Sequence, residues 1–145
     1  MKIGISSCLL GIQCKYNGGS NYNEDIIRLK EKYEIIPICP EVLGGLSIPR
    51  VPAEIVNDKV INQEGIDVTN NYNQGALKAL QILKENNVNV VILKSKSPSC
   101  GKGEVYDGTF SHTLIKGNGV TTQLFLDNNI TFYNEHNYKD LLDNN

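Results

Sequence analysis

Tryptophan is absent and methionine occurs once. Set beside the many Asn and Ile residues, this reads as an AT-rich coding sequence and carries no functional information. Other absences exclude more. Lys and Arg form no cluster, and the formal net charge is −2. Binding a polymeric nucleic acid draws on clustered cations that displace counterions, so no such partner is expected. No apolar run approaches the roughly 20 residues of a membrane helix, so no membrane partner is expected either. The opening residues MKIGISSC lead straight into a strand pattern, without the apolar stretch of a secretory leader. A cytoplasmic protein is therefore expected. Structural disulfides are rare in that compartment, so the four cysteines point to metal binding or catalysis. There is no internal repeat and no linker. The 145 residues suit one domain, 1–145, with a polar tail from about Glu135.

What is present alternates between strand and helix patterns. Lys2 to Ser7 is a short β-branched strand, followed by a polar, Gly-bearing loop from Gly11 to Tyr22. Asn23 is placed to cap a helix through Lys32, with Glu24 and Asp25 in its first turn. Glu34 to Cys39 is a second strand, apolar enough for burial on both faces. The Gly- and Pro-rich stretch Pro40 to Pro52 predicts a loop with a short helix near its start. Asn57-Asp58 lies at the turn of a small hairpin within Glu54 to Thr69. Asn70 to Asn86 predicts the main helix, with a stripe of Ala76, Leu77, Ala79, Leu80, Ile82 and Leu83. Val88 to Leu93 is a third strand, Lys94 to Gly108 a loop, Val120 to Asn128 a helix and Ile130 to Tyr133 a last strand. The order predicts an α/β single domain: a Rossmann or flavodoxin-like layered fold, its sheet mostly parallel, with a small β-hairpin insertion.

In open α/β sheets, ligands bind beyond the carboxyl ends of the strands. Cys8 follows the first strand, Cys39 ends the second and Cys100 lies in the loop after the third. An isolated free cysteine is usually a small buried hydrophobe. Three at one edge argue for a site. For Cys14, in the loop after Cys8, a supporting role and a ligand role both stay open. Structural zinc favours close C-x₂₋₄-C pairs, which are lacking. A phosphatase-type loop would need an Arg where Cys14 and Lys15 stand, and thioredoxin-like chemistry needs C-x-x-C. Thiolates also hold [4Fe–4S] clusters, normally through four cysteines; with three, one iron stays open.

Several polar residues accompany these cysteines. Glu41, two residues past Cys39, is a candidate acid or base, although spacing alone also fits a solvated loop glutamate. Ser97 is placed either to bond a substrate or to form a turn, and Gly101 permits an unusual turn or a close approach to a ligand. Arg50 fits an anion or carboxylate partner, or a surface charge. Asp107 reads as structural within a turn leading into a strand. His112 and His136 have no partner at metal-ligand spacing.

Taken together, five segments are specific: Ser7-Cys8-Leu9-Leu10-Gly11 with Cys14 to Gly18; Cys39-Pro40-Glu41 with Gly44-Gly45-Leu46; Pro49 to Glu54; Lys94 to Gly101; and Tyr106 to Phe110. In this combination the chain resembles a small bacterial and archaeal family, long catalogued as a domain of unknown function, whose characterised members are TudS-type thiouracil desulfidases. The resemblance runs from about Met1 to Thr122. Lys15 and Lys96 stand where many relatives carry Arg. The resemblance implies a [4Fe–4S] cluster held by Cys8, Cys39 and Cys100 with one open iron, and a role on the substrate for Glu41 and Ser97. It implies a small thiobase substrate, such as 2-thiouracil, converted to uracil and hydrogen sulfide by non-redox exchange of sulfur for oxygen. Polarisation of the C=S bond, activation of water or proton transfer by Glu41, and charge stabilisation by Ser97 would make up the mechanism. The alternatives from other classes are an iron–sulfur carrier or sulfide sensor without turnover, and a structural zinc domain.

Overall fold

The computed structural model describes residues 1–143. Four parallel strands form the main sheet: β1 (Lys2–Ser6), β2 (Glu34–Ile38), β5 (Val90–Leu93) and β8 (Thr131–Asn134). Their spatial order is β2-β1-β5-β8, which puts β1 and β5 in the middle. All four residues of β5 are buried, as expected of a strand covered on both faces. Two antiparallel hairpins lie outside this sheet. One joins β3 (Ala53–Val56) to β4 (Lys59–Asn62), the other β6 (Glu104–Tyr106) to β7 (Leu114–Lys116). The helices are α1 (Glu24–Ile27), α2 (Pro40–Leu43), α3 (Thr69–Glu85), α4 (Val120–Asp127) and α5 (Lys139–Asp143). None is long and apolar enough to cross a membrane among the described residues.

The two faces of the sheet bury separate cores. On one, Ile3, Ile5 and Ile92 pack with Leu9, Ile26, Leu29, Tyr33, Tyr138 and Leu141. On the other, Ile38, Val91 and Leu93 meet Ala79 and Leu83 of α3 and Phe125 of α4. Gly4 lets α3 reach β1, since a Cβ there would stand 2.9 Å from Leu83 Cδ2. The main helix lies one residue from its predicted span. Its buried face runs through Tyr72, Gly75, Ala76, Ala79, Leu80 and Leu83. Leu77, expected in the stripe, is 52% exposed, because the stripe centres on Tyr72, Ala76, Ala79 and Leu83 and leaves position 77 at its margin.

The hairpin around Asn57 and Asp58 forms as expected, with both residues at positive φ, the geometry of a tight two-residue turn. Asn23 caps α1 through its side-chain oxygen, which accepts the Ile26 N–H at 3.1 Å. The predicted ten-residue helix is only partly α-helical, because a tighter 3₁₀ turn takes over at Arg28–Glu31. The loop expected over 94–108 contains β6, whose three residues are too few to show a period. The strand expected after Asp107-Gly108 begins only at Leu114, since Phe110 and His112 hold positive φ in between. The tail contains α5, in which Leu141 is buried, as is Tyr138 just before it.

α2 crosses α3 with no side chain between the backbones. A Cβ on Gly75 would collide with the Pro40 carbonyl oxygen, and one on Gly44 with the Asn71 carbonyl oxygen. Asn71 Nδ2 donates to the Gly44 carbonyl at 2.9 Å across the same contact. Replacing Gly by Ala inside a helix ordinarily stabilises by about 0.5–1 kcal/mol. Here the sign should reverse: Gly75→Ala is expected to cost about 2–3 kcal/mol by forcing the backbones apart. Urea denaturation of the metal-free protein measures this, and a stabilised variant would contradict the crossing.

Candidate active site

The parallel strands bring three cysteines to one edge. β1 ends in a 3₁₀ turn, Ser7–Leu10, that carries Cys8. Gly11 closes this turn at φ +91°, and the returning chain bonds the Cys8 carbonyl through the Asn21 N–H at 2.9 Å. Cys39 directly follows β2 and precedes α2 as its N-cap. Cys100 sits in the loop after β5, fixed from below by the start of α4. There Thr122 Oγ1 donates to the Cys100 carbonyl at 2.8 Å, and the Ser99 and Thr121 hydroxyls pair at 2.8 Å. Gly101 is crowded by the protein's own backbone, with the Ser97 and Glu104 carbonyls 2.7 and 2.9 Å from where a Cβ would stand. Around these residues lies a cavity of about 320 Å³, lined by all four cysteines, Glu41, Arg50, Tyr72, Lys94 and Ser97 among others.

The sulfurs are free and unequal. Cys14 is buried beside Cys8 and Cys39, and the sulfurs of both draw on its one S–H. That donation is the main reason the Cys8 thiol falls to about 7, against the upward push of burial and with help from the Asn21 amide at 3.4 Å and the Lys94 charge. Cys39 is lowered for the same first reason, and the Val42 N–H adds to it. Cys14, beside those two sulfurs, is driven far above the usual thiol range by both of them and by burial. Cys100 is also raised, by burial and then by the nearby Glu41 charge. Two sulfurs thus favour the thiolate, the form that ligates metals.

Glu41 is not the solvated loop glutamate that spacing alone allows. It lies in the first turn of α2 with its side chain 20% exposed. Its Oε1 accepts the Tyr72 hydroxyl at 2.6 Å and stands 3.6 Å from Arg50 Nε. Arg50 is not a surface charge: its side chain is 8% exposed, and it donates to the Cys14 carbonyl at 3.0 Å and the Ser47 carbonyl at 3.2 Å. Ser97 both shapes a turn and faces the cavity. Its Oγ accepts the N–H groups of Ser99 at 3.0 Å and Cys100 at 2.8 Å. With both lone pairs engaged, its own hydrogen remains to be donated. Asp107 is structural, accepting the Thr109 N–H at 3.0 Å, and His112 and His136 are exposed outside the cavity lining.

Sequence reasoning missed Tyr72, which read as an ordinary helix residue, and the Lys94–Glu135 pair at 2.8 Å, whose partners are distant in sequence. Among the described residues, no three His, Cys, Asp or Glu side chains stand close enough to hold a single metal ion. The sulfurs instead ring the cavity from separate elements. Ligands of an iron–sulfur cluster bind different irons and stand apart around its volume, so this donor set fits a cluster better than a lone ion.

Comparison with known proteins points the same way. A profile of the family described as 2-thiouracil desulfurase matches residues 3–137. The uncharacterised protein YbbK of Bacillus subtilis (strain 168) is 43% identical over 148 residues, covering 95% of this chain and 98% of that protein. A solved structure described as [4Fe–4S]-dependent thiouracil desulfidase TudS superposes with a TM-score of 0.91 at 36% identity, covering 97% of this chain and 95% of that one.

The thiol network has a direct chemical readout. In metal-free protein, alkylation of Cys8 should reach half its maximal rate near pH 7, while Cys14 and Cys100 react only at much higher pH. Cys14→Ala removes the largest lowering influence, so the Cys8 midpoint should move up toward an ordinary thiol value of about 8.5. Mass-spectrometric alkylation profiles decide this; an unmoved midpoint would mean that Cys14 does not donate to Cys8.

Proposed function

Because this chain belongs to the 2-thiouracil desulfurase family, we propose that it replaces the sulfur of a thiocarbonyl compound such as 2-thiouracil with oxygen from water. The balance is C=S plus water giving C=O plus hydrogen sulfide, with no change of oxidation state and so no electron donor. The observation that carries this reading is the ring of Cys8, Cys39 and Cys100 around one cavity that Glu41 and Ser97 also line. Those three thiols would hold a [4Fe–4S] cluster of the kind on which the similar solved structure is described as depending. Cys14, which ends no strand of the sheet, is assigned no ligand role. When bound through three thiolates, the cluster supplies an iron with an open position, a Lewis acid for a thiocarbonyl sulfur.

The chain's own residues do the rest. Glu41 offers Oε2, since Oε1 already carries both of its side-chain contacts, and accepts a proton from water or a ring nitrogen. Ser97 is a donor only, which suits it to stabilise negative charge developing on the thiocarbonyl group or on its oxygen replacement and rules it out as base or nucleophile. The Lys94 ammonium, held by Glu135, adds a fixed positive charge to the cavity wall. Four unpaired thiols suit a reducing compartment such as the cytoplasm.

Protein reconstituted without oxygen should contain about four irons per chain and absorb broadly at the blue edge of the visible. Cys39→Ala should lose the cluster. Glu41→Ala should keep iron and spectrum yet release sulfide from 2-thiouracil at least about 100-fold more slowly, within the range for loss of a general acid–base group. Normal turnover by Glu41→Ala would remove Glu41 from the mechanism, and stable binding of sulfide without turnover would favour a sulfur carrier.

A further inference from the structure

We propose that Tyr72 and Arg50 are positioning residues that clamp one oxygen of Glu41 and so leave the other presented to the substrate. The proposal rests on the reading that Glu41 acts on the substrate. Both contacts converge on Oε1: the Tyr72 hydroxyl at 2.6 Å and Arg50 Nε at 3.6 Å. The first has the short length of a hydrogen bond to an ionised acceptor. The second is within electrostatic reach but beyond hydrogen-bond distance, which leaves Arg50 Nε as a buried N–H without a partner. A shift of Oε1 by a fraction of an ångström would satisfy it, as catalytic contacts often tighten only with substrate bound.

The backbone explains why these groups meet. Glu41 lies one helical turn before Gly44, and Tyr72 one turn before Gly75, the two glycines at which α2 and α3 touch. Residues one turn apart share a helix face, so the crossing sets Glu41 against Tyr72. Arg50 enters from the other side. Its two terminal nitrogens are pinned on the carbonyls of Ser47 and Cys14, so its charge has a fixed place between Glu41 and the cysteine-bearing loop. Tyr72 is 2% exposed, and burial together with the Glu41 charge keeps its hydroxyl protonated as a donor. A half-buried carboxylate with a buried guanidinium and phenol makes a poor stabilising device, since apolar side chains of equal volume often do as well. Holding one carboxylate oxygen in place is what this set does well. For chemistry that needs aligned atoms, a misplacement of about 1 Å can cost about 100-fold in rate.

The test uses the reconstituted holoenzyme and 2-thiouracil. Tyr72→Phe should lower kcat about 10- to 100-fold with KM changed by less than about twofold, and with iron content and visible spectrum unaltered. Arg50→Lys, which keeps the charge but not the planar fork, should show the same split. A crystal structure of metal-free Tyr72→Phe should show the Glu41 carboxylate displaced or in more than one rotamer. A wild-type kcat, an unmoved Glu41, or a rate loss that merely follows iron loss would overturn the clamp. Glu41→Gln tells the two failures apart: if it is inactive while Tyr72→Phe is normal, only the clamp falls, whereas normal turnover by Glu41→Gln removes the underlying reading and the clamp with it.

Discussion

Parallel pairing of β1 with both β2 and β5 is the constraint from which the site follows. Parallel neighbours end on the same edge of a sheet, so whatever follows each strand must share that edge. Cys8, Cys39 and Cys100 are far apart in the chain, yet each follows a strand of this trio. Their convergence needs no dedicated binding loop. The other elements refine it: the turn after β1 folds Cys14 back beneath Cys8 and Cys39, and the start of α4 braces the loop that carries Cys100.

Electrostatics then divides the sulfurs into roles. A buried thiol in apolar surroundings resists ionisation, as Cys100 does. Cys8 and Cys39 are also buried in part, yet a single shared donor, Cys14, outweighs that burial. In the metal-free chain, the loop after β1 thus sets the charge of the two cysteines it lies against.

Much of the fold could be read from the chain because its signals are local. The period of the main helix, the turn at Asn57-Asp58 and the apolar run of β5 each declare themselves within a few residues. The edge that gathers the cysteines was legible too, because topology alone dictates it. The β6–β7 hairpin was not, since three-residue strands separated by seven residues of turn leave no period to detect. Tyr72 escaped for another reason. In a helix a tyrosine at a stripe position reads as packing, and only the close α2–α3 crossing turns its hydroxyl toward Glu41. Arg50, likewise, shows its burial only when the loop from Ser47 closes over it.

Glu54, which is buried, and Glu41, which is half-buried, use their carboxylates in different ways. Glu54, on β3, spends Oε1 on the backbone N–H groups of Gly108 and Phe110, at 3.0 and 3.1 Å, and so ties one hairpin to the other. Such donors are set by the main chain, and the carboxylate there works as a rivet between loops. Glu41 takes its contacts from side chains alone, on one oxygen, at the wall of a cavity ringed by sulfur. A carboxylate needed only for structure would gain more from backbone partners, which lose no side-chain freedom when they bond. The molecule instead commits a buried tyrosine and a buried arginine to one oxygen of Glu41, while its second oxygen has no hydrogen bond among the described residues, and that asymmetry is what the proposed positioning role of Tyr72 and Arg50 rests on.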